Sequence, residues 1–382
     1  MSNAAGHRSR VPDLLFEDQC AARLQELAPF LEVPEDLGEE FPLHRVTIFL
    51  TYRCNLDCPY CKTIARSEEE LQARPEKRLT YSLEDFRERL DAWAPAPIRH
   101  LHFTGGEAGL VRDLPAMLRL ARSRGVETLS LTSNGTLPPQ TYVELVEAGL
   151  DEIRISLDAA DTLLGRALSG RPRAWEAAVR TIRVLASERR RGADFFLIVN
   201  TVVTPQNRGE LARIVDFLLT LDPDDIKLIT SVDEKERLGN FPEAPAVLDG
   251  ILRLLEPYPP DRFPLLRRKV GTVFAQDAIG LSSPARSSPD GLRCFIPLTE
   301  RTVDGRFYYP CSVYLREGGA PLGELRDSPD KQRAKSAAFV RRADCSTDPI
   351  CRRYCLHCTR QYNEGAQRLR EAQAGQEAPH GA

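Results

Sequence analysis

Short β-type runs alternate with amphipathic segments of helical length through the middle of the chain. Runs rich in apolar and β-branched residues fall at 46–50, 98–104, 128–132, 152–157, 195–203 and 225–230. Helical periodicity marks 82–93, 114–124, 139–148, 174–189 and 209–221. Alternation of this kind implies right-handed βα crossovers and a parallel sheet. Six strands with their helices fill about 190 residues, which suits a partial (β/α)6, TIM-like barrel better than a complete eightfold one. The expected fold class is α/β, with a small cysteine-rich appendage at the C-terminal side.

The flanks read differently. Residues 1–43 form a helical lead-in, in which Leu14, Leu15, Cys20, Leu24, Leu27 and Leu31 roughly share a face and Pro34 ends the pattern. The barrel core is expected over 44–235. A connector over 236–290 holds one more helix at 246–255, a Pro-rich stretch at 257–264 and a Ser/Pro-rich stretch at 282–290. The cysteine-rich domain spans 291–363, and 364–382 reads as a frayed, flexible tail.

Composition narrows the class. The chain has 382 residues, 42% of them hydrophobic and 28% charged, enough apolar material for a packed core and too much for wholesale disorder. A net charge of −3 argues against a general nucleic-acid binder. No run approaches the roughly 18 apolar residues of a membrane span. The basic N-terminus lacks the apolar core of a secretory signal, so a cytosolic location and no membrane partner are expected.

Ten cysteines change the picture more than any percentage. In a reducing compartment such clusters are metal ligands or catalytic groups rather than disulfides. Cys20 stands alone and reads as a small buried apolar residue. Cys54, Cys58 and Cys61 have the spacing C-x3-C-x2-C on the loop after the first strand. Three thiolates on so compact a loop can hold one corner of a 4Fe–4S cube and leave the fourth iron without a protein ligand. An electron-transfer cluster would take four cysteines, and a zinc site would close its shell. An open iron accepts an external chelator, so the pattern is catalytic in logic.

The loop 51–62 resembles the cluster loop of the radical S-adenosylmethionine (radical SAM) superfamily. Residues at successive strand ends strengthen the likeness. Phe103-Thr104-Gly105-Gly106-Glu107 resembles the family's Gly-Gly-Glu-Pro motif, with Ala108 in place of the proline. The resemblance implies that strand-end carbonyls and Glu107 receive the methionine ammonium, with the glycines allowing close approach. Ser133 and Asn134 stand at the third strand end, Ser156 and Asp158 at the fourth as polar contacts to ribose, and Asn200, followed by Asn207, on the fifth. Asn200 would reach the methionine carboxylate or the ribose, and Tyr60 matches the aromatic position near adenine. The family's chemistry is one-electron cleavage of S-adenosylmethionine to methionine and a 5′-deoxyadenosyl radical, fed by a flavodoxin- or ferredoxin-type donor. That radical abstracts hydrogen from a substrate C–H bond.

The second constellation runs Cys294-x16-Cys311, then Cys345-x5-Cys351-x3-Cys355-x2-Cys358. Asp304-Gly305 followed by Tyr308-Tyr309-Pro310 suggests a hairpin presenting Cys311. The block resembles the auxiliary-cluster extensions called twitch and SPASM. The resemblance favours Cys294, Cys311, Cys355 and Cys358 as ligands of one auxiliary 4Fe–4S cluster. Cys345 and Cys351 are left for a second cluster with Cys358, or one of them for a hydrogen-donor role. His357 is a further ligand option, and a structural zinc site stays open for this block.

For function, the leading expectation is oxidation, dehydrogenation or rearrangement of a small polar metabolite. The alternative is maturation of a ribosomally made peptide by crosslinking, epimerisation or side-chain oxidation; the 43-residue lead-in is short for a peptide-recognition domain. A non-catalytic iron–sulfur or zinc module is the alternative of another class. His100, His102, Lys227, Asp233 and Glu234 lie near strand ends and read as structural or solvated.

Overall fold

The computed structural model describes residues 44–64, 67–73, 79–93, 98–230, 242–267, 270, 293–345, 347–354, 368–369 and 371–372. Six parallel strands follow one another in sequence: β1 Arg45–Thr51, β2 His100–Gly105, β3 Thr128–Ser133, β4 Glu152–Ser156, β5 Phe196–Val203 and β6 Asp225–Thr230. Each lies within two residues of the run read from the sequence. The helices are α1 Glu68–Ala73, α2 Leu83–Ala92, α3 Leu114–Ser123, α4 Pro139–Glu147, α5 Thr162–Ser169, α6 Ala174–Arg190, α7 Leu211–Leu219 and α8 Ala244–Leu255. The expected partial-barrel α/β class is the observed one. The lead-in, 271–292 and 373–382 lie outside the described residues.

Period-2 alternation sorts each strand. Ile48, Leu101, Phe103, Leu129, Leu131, Ile153, Ile155, Leu197 and Val199 are buried in the main core with helix residues such as Phe86, Met117 and Ile182. The intervening positions carry polar groups: Thr47, His100, His102, Ser130, Glu152, Arg154 and Asn200, all buried. This inner face is held by its own bonds. Ser130 Oγ lies 2.6 Å from His100 Nε2 and 2.7 Å from His102 Nδ1, Thr132 lies 3.2 Å from His102 Nε2, and Arg154 pairs with Glu152. Both histidines therefore serve the barrel interior.

The sheet does not stop at β1. After α9 Ile296–Thr299, the strand β7 Glu300–Val303 pairs in parallel with β1, and β8 Phe307–Tyr309 and β9 Gly323–Glu324 extend it antiparallel. The resulting order is β6-β5-β4-β3-β2-β1-β7-β8-β9. The expected hairpin is present; Asp304 Oδ1 accepts the N–H groups of Arg306 (3.0 Å) and Phe307 (2.7 Å) and fixes its turn. Helices α10 Ser312–Arg316, α11 Pro329–Arg342 and α12 Pro349–Tyr354 complete this region.

Candidate active site

Gly106 and Glu107 after β2, Asn134 after β3 and Asp158 after β4 all contact the loop bearing Cys54, Cys58 and Cys61. The glycine pair braces that loop. Gly106 N–H donates to Thr51 O at 2.7 Å and Glu107 N–H to Arg53 O at 2.8 Å. A Cβ on Gly105 would stand 2.2 Å from Thr51 O, and one on Gly106 would stand 2.2 Å from Arg53 O. Gly105 also has φ +139°, outside the range of ordinary L residues. A second brace comes from α5. Ser169 O accepts the Asp57 N–H at 3.0 Å and lies 3.9 Å from Cys58 Sγ; the left-handed Gly170 passes so close that a Cβ would meet Asp57 O at 2.4 Å.

Burial pushes the Cys58 thiol up to about 12, with Asp158 and Cys61 adding to it. Burial also raises Cys54, against the Leu56 N–H and the Asn134 amide that donate to its sulfur. A reactive nucleophilic thiol needs the opposite shift, so these cysteines suit ligation, in which the metal itself drives deprotonation.

Two expected cofactor contacts, Glu107 and Ser133, bond to each other and to neighbouring loops. The Glu107 carboxylate is 0% exposed, and three protein donors fill it: Gly109 N–H at 2.9 Å, Ser133 Oγ at 2.8 Å and Asn134 N–H at 2.7 Å. Burial raises its pKa despite those donors. Glu107 therefore ties the loop after β2 to the loop after β3. Ser133 is buried in the same knot, with Tyr142 Oη at 3.0 Å and the Gly135 N–H at 3.1 Å. Asn134 reaches the cluster loop; its Nδ2 lies 3.7 Å from Cys54 Sγ and 2.8 Å from Asn55 Oδ1.

The next strand ends form a second knot. Tyr60 Oη donates to Asp158 Oδ2, and Asp158 Oδ1 accepts the Val202 N–H at 2.7 Å. Burial pushes Asp158 up to about 6 in spite of both bonds. Asn207 is fully buried and structural, with Nδ2 at 2.9 Å from Asp158 O and from Val202 O. Ser156, Asn200 and Lys227 stand at one level on β4, β5 and β6. Asn200 is 4% exposed, and its Oδ1 has no hydrogen-bond partner among the described residues. A buried acceptor without a donor is costly, so this atom is open to a donor.

The C-terminal cysteines converge in an unexpected combination. The Cys345 thiol lies within hydrogen-bonding reach of Cys294 and Cys351, and Cys311 lies beside the same two. Those mutual bonds, then burial, raise Cys345; burial, then Cys294, pushes Cys311 up to about 12. The sequence reading had set Cys345 and Cys351 apart from Cys294 and Cys311, whereas the fold brings all four together. Cys355, Cys358 and His357 lie outside the described residues, as do Cys20, Asp233 and Glu234. The seven described cysteines are free thiols. Among the described residues no three His, Cys, Asp or Glu side chains close around a single-ion position.

Sequence reasoning missed the residues that join the two sets. Lys62 pairs with Glu317 at 2.9 Å and lies 4.8 Å from the centre of the Tyr354 ring. Arg316 lies among Glu317, Cys311 and Cys61; burial lowers its pKa and those three groups oppose the shift. No motif flags them, because the contact joins segments about 255 positions apart.

Comparison with known proteins gives the same picture. Residues 48–218 match the family model described as Radical SAM superfamily. The chain is 33% identical over 277 residues to the probable GTP 3′,8-cyclase of Methanopyrus kandleri, covering 71% of this chain and 81% of that protein. Streptococcus suis SuiB bound to its precursor peptide SuiA shares the fold with a TM-score of 0.59, at 15% identity over 88% of this chain and 74% of that one. The anSMEcpe structure with bound AdoMet does so with a TM-score of 0.56, at 15% identity over 87% and 98%.

Proposed function

Since the chain belongs to the radical SAM superfamily, we propose that it oxidises or rearranges a small polar metabolite with the help of one auxiliary 4Fe–4S cluster. Cys54, Cys58 and Cys61 hold the S-adenosylmethionine-binding cluster, and the fit rests on three free thiols on one braced loop. When bound, that cluster supplies the electron that splits the sulfonium and releases the 5′-deoxyadenosyl radical. The chain's own work is positioning. Gly105 and Gly106 fix the loop height, and Tyr60 and Asp158 lock each other beside Cys58. Asn200 Oδ1 offers its lone pair to a donor such as a ribose hydroxyl.

The observation that carries the two-cluster reading is the convergence of Cys294, Cys311, Cys345 and Cys351 next to the segment Arg316–Glu317, which itself meets Cys61 and Lys62. A second cluster at that place would take up the electron left on substrate after hydrogen abstraction, giving net two-electron oxidation. Small-metabolite chemistry is supported by the relative named as a GTP 3′,8-cyclase, a nucleotide enzyme. The second reading, peptide maturation, is supported by the fold shared with a protein that binds its precursor peptide. Anaerobic reconstitution with S-adenosylmethionine and dithionite tests the proposal. It requires about eight irons per chain and 5′-deoxyadenosine formation stimulated by nucleotides or polar sugars. Stimulation by peptides alone would favour the second reading, and no 5′-deoxyadenosine at all would refute both.

A further inference from the structure

Two consecutive residues of the cluster loop, Cys61 and Lys62, lie near two consecutive residues at the end of α10, Arg316 and Glu317, and Lys62 and Glu317 form an ion pair. Lys62 Nζ sits 3.0 and 2.9 Å from the two carboxylate oxygens of Glu317, whose side chain is only 9% exposed. One residue back on each side, the Arg316 guanidinium lies near Cys61 and, on its own hairpin segment, near Cys311. Arg316 Nε is buried and has no acceptor among the described residues. Glu317 receives Lys62 on both of its oxygens. A buried guanidinium N–H without an acceptor is unfavourable until one completes it.

The Cys61 and Cys311 sulfurs stand on either side of it and become thiolates on ligating iron. We infer that Arg316 is an electrostatic bridge between the two cluster sites, its positive charge facing sulfur on both and holding each at a more positive reduction potential. Reduction adds a negative charge to a cluster, and a cation with N–H donors in a low-dielectric gap favours that form. The auxiliary cluster then accepts the substrate's electron more readily. Arg316 acts through the sulfur ligands, so it is a positioning residue for electron flow. The inference rests on the two-cluster reading above.

The test uses anaerobically reconstituted holoenzyme. Arg316→Gln is expected to lower the ratio of reduced to oxidised cluster at a fixed applied potential by about tenfold, a shift of about 59 mV to more negative values for a one-electron couple. The readout is a redox titration followed by electron paramagnetic resonance. A Cys54→Ala/Cys58→Ala/Cys61→Ala background isolates the auxiliary cluster. Lys62→Met frees Glu317 to draw the guanidinium away from sulfur, and is expected to shift the potentials in the same direction by less. Iron content separates the two ideas. About four irons in the wild type would overturn the two-cluster reading and leave Arg316 nothing to bridge. About eight irons with unmoved potentials in whichever variant loads would overturn the bridge alone. A raised substrate KM with unmoved potentials would also overturn it and assign Arg316 to a substrate anion.

Discussion

Replacing Gly106 with alanine isolates the brace beneath the cluster loop, because Gly106, unlike Gly105, is free of positive-φ strain. The added Cβ would stand 2.2 Å from Arg53 O, 2.6 Å from Arg53 C and 2.8 Å from Tyr52 O, all backbone atoms that no rotamer change can move aside. Ordinary contact requires the strands to part by more than about 1 Å. Parting them breaks the bonds from Gly106 N–H to Thr51 O and from Glu107 N–H to Arg53 O. Two hydrogen bonds at about 1 kcal/mol each, plus about 1–3 kcal/mol of overpacking, put the cost near 3–5 kcal/mol. Cys54 follows Arg53 directly, so the displacement reaches the first ligand. A misplacement of about 1 Å at a reacting centre costs on the order of 100-fold in rate. Gly106→Ala should therefore lose iron from the N-terminal site or, where loaded, form 5′-deoxyadenosine about 100-fold more slowly. Gly209→Ala is the matched control, since nothing lies within 4 Å of its added Cβ. Full iron content and a wild-type rate in Gly106→Ala would refute the idea that backbone proximity sets the loop's height.

Other expectations follow from the same geometry. Cys345→Ala should lower iron from about eight to about four per chain while uncoupled 5′-deoxyadenosine formation persists; unchanged iron would remove Cys345 from the ligand set. Asn200→Ala should weaken S-adenosylmethionine binding to the reconstituted enzyme by roughly 5–100-fold, the loss of one buried hydrogen bond, and an unchanged Kd by equilibrium dialysis would rule out its contact. Asp225 is fully buried, and burial pushes it up to about 6 although the N–H groups of Ile226, Leu265 and Leu266 all donate to it. Its folded-state value is raised, so its stabilising contribution is complete below about pH 4 and fades as pH climbs through 6, by up to ~3 kcal/mol. Asp225→Asn should flatten that slope in anaerobic urea melts between pH 4.5 and 7.5, and an identical slope in both proteins would show the titration lies elsewhere.

Strand–helix alternation and cysteine spacing are local signals, and both were legible without coordinates. Residues 128–133 and 225–230 announce strands by their own side chains, and C-x3-C-x2-C fixes three thiols within eight positions. Helix α5 escaped because it has eight residues with Gly165 inside, too short for periodicity, even though Asp161 caps it through the Leu163 and Leu164 N–H groups and Gly170 ends it. The pairing of β1 with β7 also escaped, since Val46 and Arg301 meet only through the tertiary fold. Glu107 and Ser133 were named as motif residues, and their mutual bond depends on two loops meeting. No spacing rule reports which way a buried carboxylate turns.

That distinction separates support from contact within one motif set. A folded chain keeps buried polar atoms paired, so a saturated side chain is holding protein together and an unsaturated one awaits something else. Glu107, Ser133, Asn207 and Asp158 all spend their side-chain atoms on the loops around Cys54 and Cys58. Among the site residues, Asn200 Oδ1 and Arg316 Nε are the buried atoms left over, one an acceptor on the barrel sheet and the other a donor on the hairpin segment. Their chemistry is opposite: the first needs a hydroxyl or ammonium and the second an anion. A site completed by both requires the barrel and the cysteine-rich extension together. The shared sheet through β1 and β7 and the Lys62–Glu317 pair hold those two parts in register.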